Sequence, residues 1–203
     1  MKDSYPIYKM TIDEVDEGVN YIALVEFPAI ERPFQAFAKK QRFSETNEKR
    51  VLTGPLIMAD TPIFRSDETY GEYYVVFDAP TIRKIVQRYF KQNNQHNVNA
   101  EHSQQLDGVY MFESYLIDRE RGVNPPNGYE DAKDGSWFGS FKVENDKVWE
   151  ERDQFTGFSV EGVFGMMPAR RTLEAEMTAL AKDLTAFLQH LNPRYISNQR
   201  PKL

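Results

Sequence analysis

The amino-acid sequence predicts a mainly β fold, an antiparallel, closed or nearly closed β-barrel with peripheral helices packed outside it. Two observations carry this. Short runs rich in Val, Ile, Tyr and Phe, separated by turn-forming residues, dominate the chain as far as residue 165. Those runs also lack the regular strand and helix alternation of a doubly wound sheet. The size agrees: 203 residues, 40% hydrophobic and 28% charged, fit one compact domain with a short appendage. The division is expected between a β domain over 1–168 and an amphipathic helix with a polar tail over 169–203.

In chain order, Tyr5 to Ile12 and Val19 to Phe27 read as two strands of a hairpin around the acidic turn Asp13-Glu14-Val15-Asp16-Glu17-Gly18, closed by Pro28. Residues 31–48 are polar. Two further β-rich runs follow, Val51 to Met58 and Tyr73 to Phe77, with the turn-like Arg65 to Gly71 between them. Asp78-Ala79-Pro80 supplies an N-cap and a first-turn proline, and Ile82, Ile85, Val86, Tyr89 and Phe90 recur at helical spacing, which predicts a helix over 79–92. Val98 to Ser103 and Gly108 to Asp118 read as a second hairpin, joined through Gln104-Gln105-Leu106-Asp107. A polar loop over 119–135, with Pro125-Pro126-Asn127-Gly128 at its middle, has the length of a functional or mobile segment. Trp137 to Val143 is a strand, Asn145 to Gln154 a short helix, and Gly157 to Phe164 a final strand. Over 172–191, Leu173, Met177, Leu180, Leu184, Phe187 and Leu191 form a heptad seam, a helix suited to pack on the β domain or to self-associate.

Composition removes several kinds of chemistry. There is no cysteine, so disulfides, thiolate nucleophiles, Cys-ligated zinc and iron–sulfur clusters are excluded, and any nucleophile is a hydroxyl, an amine or a carboxylate. Lys plus Arg number 25 against 31 Asp plus Glu, a net charge of −6 that suits neither nucleic acid nor an anionic membrane. No Gly-rich phosphate loop and no basic stripe is present. No apolar core of a signal peptide follows Met1-Lys2-Asp3-Ser4, and no stretch of about 18 uncharged apolar residues occurs. The expectation is a soluble protein of the cytosol in which it is made, with no cofactor and no membrane or nucleic-acid partner.

Three histidines remain. His190, near the end of the heptad helix, suits the helix dipole, and His96 sits in an Asn/Gln-rich turn. His102 lies on the expected strand from Val98, where alternation gives it the face of Val98 and Ala100. His96, Glu101 and His102 superficially resemble the H-x-x-E-H pattern of zinc peptidases. That motif needs both histidines on one helical face, and here the spacing is wrong and the segment extended, so no metal is expected.

The stronger line is a hydroxyl nucleophile. In Gly157-Phe158-Ser159-Val160-Glu161-Gly162 an extended backbone turns Ser159 and Glu161 to one face, about 7 Å apart, near the span an imidazole bridges with two hydrogen bonds. If His102 enters from a nearby strand, its Nε2 can take the Ser159 proton while a carboxylate holds Nδ1–H. The plain alternative is an ordinary strand serine.

A resemblance favours the first reading. His102 followed by Ser159, each on an expected strand, looks like the capsid maturation proteases of tailed phages and the herpesvirus assemblins. Asn97-Val98-Asn99-Ala100-Glu101-His102 is similar to the assemblin histidine motif, and Gly157 to Gly162 to the phage nucleophile strand. The chain resembles XkdF-like phage serine proteases more closely still, through Arg50 to Met58 with Pro62-Ile63-Phe64-Arg65, Glu101-His102-Ser103, Glu113 to Ile117, Gly135-Ser136-Trp137 and Gly157 to Gly162. The likeness runs from about Tyr5 to Phe164. It implies an assemblin-like barrel and a serine endopeptidase acting inside the immature capsid, in the cytoplasm of the bacterial host, on scaffold and capsid proteins and on itself. His102 carries over as general base and Ser159 as nucleophile.

The third member stays open. In relatives it follows the serine by a couple of dozen residues, a place held here by Asp183 beside Leu180 and Leu184, whereas the shared strand face favours Glu161. Glu113 is a weaker candidate, because the expected hairpin pairs His102 with Val109 and leaves Glu113 roughly 13 Å away. Assemblins support the oxyanion with paired arginines. Arg170-Arg171 follows Ser159 too soon for that role and reads as a helix start. The competing reading is a catalytically inactive assembly factor whose helix over 172–191 binds scaffold, portal or another copy.

Overall fold

The computed structural model describes residues 5–13, 17–26, 44–46 and 50–169, with 44–46 given by their backbone alone. The chain divides into two units, Met1–Pro168 and Ala169–Leu203, and the fold below is that of the first. The expected helix over 172–191, with Asp183 and His190, and the Arg170-Arg171 pair lie outside the described residues.

Among the described residues twelve strands and two α-helices follow one another: β1 (Ile7–Thr11), β2 (Gly18–Val25), β3 (Ser44–Thr46), β4 (Val51–Ile57), β5 (Ile63–Asp67), β6 (Gly71–Val76), α1 (Ala79–Lys91), β7 (Val98–Ala100), β8 (Gln104–Gln105), β9 (Val109–Leu116), β10 (Trp137–Val143), α2 (Asp146–Glu150), β11 (Gly157–Val163) and β12 (Gly165–Pro168). The mainly β class is as expected from the sequence; the closed barrel is not found. Among the described residues the strands form three four-stranded sheets, ordered β12-β1-β6-β5, β3-β4-β10-β9 and β11-β2-β7-β8.

The hairpin expected at the N-terminus is absent for a physical reason. β2 is buried along most of its length, so it takes a neighbour on each side, β11 antiparallel and β7 parallel. β1 goes to another sheet, between β12 antiparallel and β6 parallel. These two pairings are parallel, and the other strand pairings among the described residues are antiparallel. Where the sequence predicts a turn over Arg65 to Gly71, a hairpin joins β5 to β6, with Ile63 opposite Val75 and Asp67 opposite Gly71. Asp67 tightens it, accepting from the backbone N–H of Thr69 and Tyr70 and from the Tyr73 hydroxyl at 2.6 Å.

α1 forms as its sequence predicts. The Asp78 carboxylate accepts the Thr81 N–H at 3.0 Å, Pro80 occupies the first turn, and Ile82, Ile85 and Tyr89 bury one face. That face joins the main core, where the Tyr89 ring meets Trp137 at 5.4 Å and Phe141 of β10 meets Phe158 of β11 at 4.6 Å. Val98 and Ala100 turn into this core with Ile22 and Leu24, leaving the opposite face of β2, β7 and β11 for other side chains.

The second expected hairpin is also corrected. β7 ends at Ala100, the chain reverses at once through Glu101, His102 and Ser103, and β8 pairs back with Asn99 opposite Gln105. β9 instead pairs with β10, where Glu113 faces Ser140. The loop over 119–135 is stapled: the Arg119 guanidinium ion-pairs with Asp134 and donates to the carbonyls of Glu130 and Ala132 at 3.2 and 2.7 Å. Ala132 closes a small second cluster with Met58, Ile117 and Phe138.

Candidate active site

The register across β11, β2 and β7 builds the site. Ser159 pairs with Ala23, and Ala23 with Asn99, so these three stand in one row across the sheet. Glu161 sits one repeat to one side, opposite Tyr21, and Gly157 one repeat to the other, opposite Val25. Ser159 and Glu161 share a face of β11 up to the bulge, which falls between Glu161 and Gly162. Gly162 makes that bulge possible, because a Cβ there would lie 1.9 Å from the Gly18 carbonyl oxygen.

His102 is not on a strand, contrary to the expectation, and does not share the face of Val98 and Ala100 by alternation. It occupies the turn after β7, where Glu101 and His102 both have positive φ, 49° and 57°. The turn is held by the Glu101 N–H on Leu24 O at 3.0 Å, and the Glu101 carboxylate accepts the Glu26 N–H at 2.7 Å. From there the imidazole reaches back over the sheet, and its Nδ1 lies 2.8 Å from Glu161 Oε2. Because His102 leaves β7 on the Val25 side of the row and Glu161 stands on the Tyr21 side, their bond runs past the row that carries Ser159.

A carboxylate only accepts, so the proton in this bond sits on Nδ1 and the Nε2 of the neutral ring keeps its lone pair. The two side chains are about two-fifths exposed, at 43% and 38%, whereas Ser159 is 4% exposed. The Ser159 hydroxyl makes no hydrogen bond to another described residue. Asn99, which the sequence analysis does not single out, adds a second contact to Glu161, its Nδ2 donating to the same oxygen at 3.2 Å. The signal that could have found it is alternation, since a polar residue between Val98 and Ala100 must face away from the core.

The structure thus brings His102 to Glu161, with Ser159 on the same strand face as Glu161. Glu113 belongs to a different sheet, so its expected pairing distance from His102 no longer applies; the carboxylate bonded to His102 is Glu161. Asp183 lies outside the described residues. The His96 ring lies tilted against Tyr110, with ring centroids 5.5 Å apart. Among the described residues no group of three or more His, Asp and Glu side chains is placed to hold a metal ion.

Ser159 and Glu161 line a cavity of about 290 Å³ on the flank of β11, walled by Leu56, Ile63, Val75, Phe77 and Met166. Arg65 and Tyr73 supply its polar groups, and the Tyr73 hydroxyl is pushed up to about 12 by its hydrogen bond to Asp67 and by burial, which keeps it neutral. β11 is the edge strand of its sheet. Ile22 N–H bonds to Asn97 O and Leu24 O accepts from Glu101, so the even residues of β2 direct their main chain to β7 and the odd residues to β11. Ala23 therefore exchanges bonds with Ser159, and Val160 turns its main-chain N–H and C=O away from β2.

Residues 44–167, more than half of the chain, match the family described as putative phage serine protease XkdF. The chain belongs to this family. The matched span of the XkdF family contains His102, Ser159, Glu161 and Asn99 and stops short of Asp183. Neither the curated proteins nor the solved structures contain a match to the chain.

Proposed function

We propose that this XkdF-family protein is a serine endopeptidase with Ser159 as nucleophile, His102 as general base and Glu161 as the carboxylate that orients it. The observation that carries the reading is the 2.8 Å contact of His102 Nδ1 with Glu161 Oε2, which fixes the tautomer that a general base needs. His102 Nε2 takes the hydroxyl proton as Ser159 Oγ attacks the scissile carbonyl carbon. It then returns that proton to the leaving amine as the C–N bond breaks. Water, deprotonated by the same nitrogen, cleaves the acyl ester and restores the serine. Reaching Ser159 needs a small rearrangement of its surroundings, since the residue is only 4% exposed.

The peptide would lie extended along the flank of β11, using the outward main chain of Val160, with an apolar side chain in the adjoining cavity. Family membership supports a phage setting, and the substrates we propose are scaffold and capsid-protein segments, and the protein itself, inside the immature capsid in the host cytoplasm. No cofactor is needed for this chemistry. The helix expected over 172–191 is the proposed self-association or scaffold-binding element.

The burial of Ser159 favours one competing reading, a capsid-assembly or scaffold-binding protein without activity. A fluorophosphonate probe on the full chain separates them. Labelling at Ser159 that disappears in His102→Ala supports the peptidase, and a folded protein that takes up no label at any concentration supports the assembly factor.

A further inference from the structure

Asn99 is 6% exposed on β7, at the far side of Ala23 from Ser159, and a buried primary amide is costly unless its donors and its acceptor are met. Only part of that demand is satisfied. Nδ2 donates to Glu161 Oε2, the oxygen that also meets His102, while Oδ1 is buried without a hydrogen-bond partner among the described residues. Turning the amide over would not repair this, because it would set Oδ1 against the carboxylate oxygen. Its neighbours on that face of β2, Ala23 and Val25, are apolar and buried, so an aliphatic residue at 99 would cost less in stability. The amide is thus oriented towards Glu161 at the expense of a stranded acceptor.

The geometry points to Asn99 as a positioning residue that holds Glu161 Oε2 against His102 Nδ1 and so sets the tautomer of the imidazole. Its amide restrains a carboxylate that is otherwise two-fifths exposed and free to swing into solvent. Glu101, next to His102 in the turn that carries the ring, has its carboxylate engaged by the Glu26 N–H. This inference rests on the peptidase reading for its purpose, but it can be tested apart from it.

The test measures the ring nitrogens of His102 by 1H–15N spectroscopy in the full chain and in Asn99→Ala, Asn99→Thr, Glu161→Gln and Asn99→Ala/Glu161→Gln, with fluorophosphonate labelling rates on the same proteins. The native spectrum is expected to show the Nδ1–H form. Asn99→Ala should return the ring to a mixture of tautomers and slow labelling about tenfold, the loss of one charge-assisted hydrogen bond. Asn99→Thr, which fills more of the space, guards against a folding defect and should behave like the alanine variant. In the Glu161→Gln background the Asn99 change should cost nothing further. A His102 spectrum unchanged in both Asn99 variants, or an equal loss with and without Glu161, overturns the inference. Absence of labelling in the native chain with the tautomer effect intact would overturn the peptidase reading alone.

Discussion

Glu161 Oε2 stands 2.8 Å from His102 Nδ1 although 59 positions separate the two residues, and the contact crosses β2 from the edge strand β11 to the turn after β7. A strand offers its side chains every second residue, so Ser159 and Glu161 fill neighbouring places on one face of β11 and the imidazole arrives from elsewhere. The turn at Glu101 and His102 provides that arrival.

The first prediction decides between the two carboxylates that the sequence left open. Glu161→Gln removes the charge and presents an amide N–H that can donate to Nδ1 and so support the wrong tautomer, and the rate of Ser159 labelling should fall on the order of a hundredfold or more. Asp183→Asn should cost far less. The reverse order would move the third role to Asp183.

Gly162 is predicted to tolerate no side chain. A Cβ would stand 1.9 Å from Gly18 O and 2.9 Å from Val19 Cα, both backbone atoms that cannot turn aside. Gly162→Ala should destabilise the protein by about 1–3 kcal/mol or more, read as a lowered urea midpoint. Because the bulge ends the shared face of Ser159 and Glu161, the variant should also lose Ser159 labelling under conditions where it remains folded.

The loop over 119–135 is expected to be ordered by Arg119. Its guanidinium spans Asp134 and two main-chain carbonyls, and Arg119→Ala leaves those acceptors to water. The exposed ion pair alone contributes little. The predicted effect is therefore local: faster cleavage within 119–135 under limited proteolysis, with a change in global melting of a few degrees at most. Equal cleavage of both proteins would show that Ala132 and its apolar cluster suffice.

Local patterns carried much of the fold and little of its pairing. Trp137 to Val143 is a strand over the residues expected, and α1 begins on Asp78 as its cap and first-turn proline require. Both depend on neighbours within a few positions. Which strand lies beside β2 depends instead on residues about 75 to 145 positions away, and nothing in β2 itself tells β7 and β11 from β1. The left-handed turn at Glu101 and His102 has no glycine to mark it. Ser159 and Glu161 could be placed on one face because alternation is a local rule, whereas Asn99 required knowing that β2 sets it in the row of Ser159.

Asp78 gives a prediction in pH. Burial by itself would raise its carboxyl, but the Lys9 ammonium at 2.5 Å and the bonds to Thr81 outweigh that and leave it below its ordinary value. A carboxylate lowered in the folded state binds protons more readily when the chain is unfolded. Its contribution to stability is therefore complete above the unfolded value of about 4 and is lost as pH falls through the folded one. Asp78→Asn keeps a good helix cap and removes the charge, so it isolates this component. Urea titrations of the native and Asp78→Asn proteins should differ by a constant amount from pH 7 down to about 5, with the native protein the more stable. The gap should then close as the pH drops below about 4, because protonation makes the native side chain as uncharged as the amide. A gap that persists unchanged to pH 2.5 would place the effect of the substitution in the cap geometry, with no part carried by Lys9.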